Sequence, residues 1–154
     1  MISDDIHADL LVKRVCIFIM IQEKTIMFEE DYIMRQIKEM TAVIARVLFG
    51  ARSESMSLML QQRERQKADH LIGRMKNGEI QDAIDDINRL ADNNTRENLL
   101  IGLEFYSQLS DMSDDFFAEN GYNFAKARKS FEIFAEKFGL QQMTDLYFGE
   151  NDEN

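Results

Sequence analysis

The chain reads as an all-α protein of stacked antiparallel helix pairs, either tetratricopeptide-like or an irregular helical bundle. Three observations predict this. Apolar residues recur at steps of three and four along most of the sequence, which keeps them on one face of an α-helix. None of the 154 residues is proline, which helix interiors reject and turns favour. Residues that cap helices stand where the periodic runs begin.

Composition sets the class. With 45% hydrophobic and 30% charged residues the chain is globular and too apolar to be disordered as a whole. A length of 154 residues fits one domain. The domain spans residues 27–149, with an N-terminal add-on over 1–26 and an acidic, frayed tail over 150–154. A formal charge of −10 repels nucleic-acid phosphates, so nucleic acid is not expected as a partner. Cys16 is the only cysteine, so no intramolecular disulfide can form, which fits a reducing compartment.

The add-on carries Asp4, Asp5 and Asp9 ahead of an apolar run from Val15 to Ile21. A signal peptide needs a basic start and a small-residue cleavage site. The run is also far shorter than the roughly 20 residues that span a bilayer. Secretion and membrane insertion are therefore not expected, and the location that follows is the cytoplasm. The run is either a capped helix docked on the domain or a dimerisation segment, and the domain is expected to fold without it.

The clearest helix runs from Phe28 to Gly50. Glu29, Glu30 and Asp31 place negative charge on its first turn, at the positive end of the helix dipole. Ile33, Ile37, Met40, Ile44 and Val47 form its apolar face, widened by Met34, Leu48 and Phe49, and Gly50 ends it. The face predicts a core helix or a self-association seam. The string EEDYIMRQIKEM, followed by a helix ending in LFG, resembles the opening of a family of small bacterial proteins built on a domain of unknown function. The resemblance is sharp over Glu29 to Gly50. It implies a bacterial, cytoplasmic protein and brings no activity, cofactor or site residue.

The next helix is expected from a cap at Ser53 or Ser55 to about Asn77, with Met56, Met59, Leu60, Ala68, Leu71, Ile72 and Met75 as its apolar positions and Gly78 as its stop. Glu79 to Asp92 follows, with Ile80, Ala83, Ile84 and Ile87 on one side. Asn94 is the predicted cap of a helix to Ser110, with Glu97 completing a capping box. That helix is apolar nearly all round and should be central. Ser113 caps a short helix carrying Phe116 and Phe117. Asn123 caps the last long one, with Phe124, Ala127, Phe131, Phe134 and Phe138 in its stripe. A final short helix holds Leu140, Met143, Leu146, Tyr147 and Phe148. The segments around Ala83 and Ala127 both resemble the second helix of a tetratricopeptide repeat. They lie 44 residues apart, against the 34 of that repeat.

No motif for chemistry stands out. His7 and His70 are the only histidines, and neither follows a glutamate at the spacing of a di-iron site. Three Cys and His residues in all, widely spread, do not make a zinc site. The run from Asp111 to Asp115 lacks the glycine and the final glutamate of a calcium loop. There is no phosphate-binding glycine loop and no nucleophile elbow. No catalytic residue, cofactor or metal is assigned.

One polar constellation remains. Arg63, Lys67, His70 and Arg74 step by four, three and four along one helix face. They form either a docking strip for an acidic partner or a face neutralised by Asp82, Asp85 and Asp86 on the next helix. Phe131 and Phe134 either line a partner groove or belong to the core. The function expected is a helical protein-interaction module whose partner docks on such a groove or on the basic strip. Two other readings stay open: a small enzyme or ligand carrier with a pocket between helices, and a homo-oligomeric structural protein, with a homodimer as its simplest form.

Overall fold

The computed structural model describes residues 32–50 and 60–148. All of them except Tyr32 belong to one compact unit that begins at Ile33. The segment 1–26, the acidic start at Glu29 to Asp31, the caps at Ser53 or Ser55, and the tail 150–154 lie outside the described residues.

Seven helices and no strand occur among the described residues. They are α1 (residues 32–49), α2 (Gln62–Lys76), α3 (Ile80–Leu90), α4 (Arg96–Ser110), α5 (Asp114–Glu119), α6 (Phe124–Lys137) and α7 (Gln141–Phe148). The chain is thus an all-α bundle. α2 packs on both α3 and α4, α3 on α6, and α6 on α7. Met34, Ile37, Met40, Ile44 and Ala45 of α1 join the same buried cluster.

Helix ends follow local chemistry. Ser113 Oγ accepts from the Phe116 N–H at 3.2 Å, and Asn123 Oδ1 accepts from the Lys126 N–H at 2.8 Å. Each satisfies a donor that the helix itself cannot. The cap of α4 is Thr95, not Asn94: Thr95 Oγ1 accepts from the Asn98 N–H at 3.2 Å. Asn98 has a second task that sets this register. Its Nδ2 donates to the carbonyls of Leu90 at 3.0 Å and Asn93 at 2.8 Å, tying α4 to the end of α3. The second helix begins at Gln62, and Leu60 and Gln61 lie outside it. Gln62 to Lys67 offers no apolar side chain, so no burial draws an earlier turn into the core until Ala68, which is 1% exposed. Gly78 turns the chain between α2 and α3 at φ +97°, a conformation that other residues adopt only with strain.

α4 is central, as its composition demands. Leu99, Leu100, Ile101, Leu103, Phe105, Tyr106 and Leu109 are all buried. Tyr106 is the hub of the rings. Its centroid lies 5.4 Å from Phe105, 5.2 Å from Phe131 and 5.4 Å from Phe134, within the range of favourable aromatic pairs. Gly102 makes room for one of them: a Cβ there would overlap the Phe134 ring.

Two apolar expectations fail at helix ends. Val47 and Leu48 are 66% and 48% exposed, although Phe49 in the same turn packs against the core. Leu146 of α7 is 78% exposed. The buried positions of α7 are Thr144 and Phe148, four apart and therefore on one face.

Candidate functional site on the second helix

The four basic-strip positions share one narrow sector of α2, as their spacing requires. The structure divides them. Arg74, at the C-terminal end, is committed. Its guanidinium pairs with Asp86 and, through Nε at 3.3 Å, with Glu79. Asp86 is also held by Arg89. The hydrogen bonds that Arg74 donates to Asp86 and then to Glu79 push the guanidinium further above its ordinary range, against the pull of desolvation. Arg74 therefore fastens α2 to α3. Arg63, Lys67 and His70 are exposed, and none forms an ion pair with a described residue.

The reason lies in the neighbours. α3 meets the strip with Glu79 and Asp86 at the turn end, where the two helices are joined. Toward the start of α2 no described carboxylate reaches it. The N-terminal end of the strip instead borders a shallow depression of about 440 Å³ lined by Gln61, Gln62, Arg63, Glu64 and Gln66. A second cavity of about 350 Å³ shares Gln61 and Glu64 with it and is completed by Leu60, Arg96, Glu97 and Leu100. Its two carboxylates sit in the first turns of α2 and α4, where they complement the helix dipoles. The Arg96 guanidinium lies 4.8 Å from the Phe49 ring centroid, placing the end of α1 at this corner.

Phe131 and Phe134 line no groove. They are 0% and 1% exposed and pack on Tyr106, so the aromatic pair is core. The other aromatic residues of the C-terminal half divide in the same way. Phe148 is buried under Arg128, whose Nη2 donates to the Phe148 carbonyl at 3.0 Å. Tyr147 reaches Glu39 Oε2 through its hydroxyl at 2.7 Å, joining α7 to α1.

Among the described residues no group of three His, Cys, Asp or Glu side chains is placed to hold a metal ion. No described helix is long and apolar enough to cross a membrane. The sequence did not single out Gln61, Gln62 and Gln66. The signal that points to them is the polar run from Gln61 to Lys67, which leaves the first two turns of α2 with no apolar face.

The model of a family of unknown function (DUF6483) matches residues 27–139. That span covers most of the chain, takes in the stretch Glu29 to Gly50, and includes the whole strip; the chain belongs to this family. No curated protein and no solved structure matches the chain.

Proposed function

We propose that this member of the family is a cytoplasmic, helical protein-interaction module that docks a protein partner on the exposed N-terminal half of α2. One observation carries the reading. Arg63, Lys67 and His70 share one face without an ion-pair partner among the described residues, while Arg74 on the same face is paired with Asp86 and Glu79. A fold that neutralises one end of a basic strip and leaves the other open keeps that end available for charge from outside.

The test separates docking from stability. Arg63→Glu with Lys67→Glu reverses the open end without touching the Arg74 bridge. A photo-crosslinking residue at Gln66, introduced into the otherwise unaltered chain in its host cells, should yield one dominant crosslinked protein. That product should vanish in the double variant while the thermal melt stays within about 1 °C. The melt is expected to hold because exposed charges contribute only about 0–1 kcal/mol. Unchanged crosslinking in the folded variant removes the strip from the interface.

A second reading has its own observation. Val43, Val47 and Leu48 expose apolar surface at the end of α1, which supports self-association through that helix. Light scattering of the full chain and of its Val47→Asp variant decides it: a dimer that the variant splits favours the homo-oligomer.

A further inference from the structure

The open strip does not stand alone on its surface, and what lies beside it restricts the partner. α2 and α3 run antiparallel through the turn at Asn77 and Gly78. At the far end from that turn sit Arg63 and Lys67, with His70 one turn further along. Glu79 sits at the turn, Asp82 in the first turn of α3, and Asp85 and Asp86 at its middle. Arg74 and Arg89 offset only part of that negative charge, through Glu79 and Asp86. Asp82 and Asp85 are exposed and form no ion pair with a described residue. Asp85 Oδ1 accepts a hydrogen bond from Gln81 Nε2 at 2.9 Å, and its carbonyl oxygen accepts one from Arg89 Nε at 3.4 Å.

Of the remaining charges of α2, Glu64 lines the same depression as Arg63 and lowers the net positive charge there. By helical register Asp69 and Lys76 lie on the opposite side from the strip. At a rise of 1.5 Å per residue, the positive centre near Arg63 and Lys67 and the negative centre near Asp82 are roughly 15–20 Å apart. Over that distance two exposed centres act separately at physiological salt, where the screening length is about 8 Å. A uniformly acidic segment that reached past His70 would meet like charge from Asp82 and Asp85. A uniformly basic one would meet it at Arg63 and Lys67.

Resting on the docking reading above, we infer that the partner presents a charge-segregated segment, with carboxylates seated on Arg63, Lys67 and His70 and basic groups over Asp82 and Asp85. This surface discriminates by the arrangement of charge along the partner, not by its net charge. It also excludes a continuous polyanion, whose phosphates would face α3 as well as the strip.

Two synthetic helical peptides of one composition test this on the full chain. One carries glutamates in one half and lysines in the other; its isomer interleaves them. By fluorescence anisotropy at low salt the segregated peptide should bind at least about tenfold more tightly, the scale expected of well-placed complementary charge. The difference should shrink as salt is added. In the Asp82→Lys/Asp85→Lys variant the preference should pass to an all-glutamate helix. Equal binding of the two isomers, or a preference that Asp82→Lys/Asp85→Lys leaves intact, overturns the inference. Loss of the Gln66 crosslink in Arg63→Glu/Lys67→Glu would still uphold the docking face, so the two claims fail separately.

Discussion

The aromatic layer of α4 and α6 and the basic strip of α2 are both written in steps of three and four, yet they meet opposite fates. Phe131 and Phe134 vanish into the core against Tyr106. Arg63, Lys67 and His70 remain outside. A periodic apolar stripe buries itself wherever a facing surface exists, because each large side chain gains about 1.5–3 kcal/mol on burial. A periodic charged stripe gains little from pairing at the surface. Only its contact with α3 at Arg74 is drawn into the fold. The first region holds the molecule together, and the second is free to serve something else.

The largest effect expected from breaking this contrast is in the rings. Phe134→Ala removes a fully buried ring that touches Tyr106 and lies tilted against Phe138 at 5.0 Å between centroids. It should cost about 3–5 kcal/mol, read as a lowered midpoint in a urea melt. Phe131→Ala should behave alike. A loss below about 1 kcal/mol in either would mean that the ring is not core and would reopen the groove.

Gly102→Ala comes next. The added methyl group meets the Phe134 ring, and overpacking of this kind costs about 1–3 kcal/mol. Phe134→Leu in the same chain should recover part of that loss, so the two changes should be non-additive. Strict additivity would place the strain elsewhere.

Most of this layer was legible in the sequence, and the reasons are local. Ser113 and Asn123 cap where their chemistry allows, and a helix apolar nearly all round can only be central. Three features were not legible. Thr95 displaced Asn94 as cap because Asn98 is held by two carbonyls at the end of α3. Val47 belongs to the right stripe but is 66% exposed while Phe49 beside it packs against the core, and periodicity does not say which positions of a stripe find a facing surface. Gly102 looks like a gap in an apolar helix until the ring that fills it is known. For the strip, spacing placed four residues on one face. Only the facing carboxylates decide which of the four is already taken.

Tyr106 gives a smaller effect with a sign of its own. Its hydroxyl is fully buried without a hydrogen-bond partner among the described residues, a cost that its ring contacts outweigh. Tyr106→Phe removes the polar atom and keeps the ring, so stability at pH 7 should hold or rise by up to about 1 kcal/mol. Burial raises the Tyr106 pKa well above its ordinary value of 10.0, helped by the neighbouring Tyr122 and Asp85. Burial raises that of Tyr122 as well, and the hydrogen bond with Ser130 opposes it. A raised folded-state pKa means that the unfolded chain loses its proton first. The stability these groups contribute is therefore complete below about pH 10 and drains away as pH rises above it, by up to about 1.4 kcal/mol per pH unit for each tyrosine. Melts between pH 8 and 11 should show this alkaline loss, and Tyr106→Phe should flatten it. An unchanged slope in that variant would assign the loss to other groups.

The smallest effect is expected at the strip, and there it is the difference within one face that matters. Arg63→Glu with Lys67→Glu alters no ion pair among the described residues, so the melt should stay within about 1 °C of the unaltered chain, as for most exposed sites. Arg74→Glu occupies the same face but places a carboxylate against Asp86 and Glu79 and leaves Asp86 paired with Arg89 alone among the described residues. Its melt should fall measurably below that of the double variant although only one charge is reversed. High salt should narrow the gap, because the repulsion acts between partly exposed groups. Equal melting of the two variants would show that Arg74 is no more committed than Lys67. The open strip would then extend a full turn further toward α3, and the partner's acidic segment would have to be longer by the same amount.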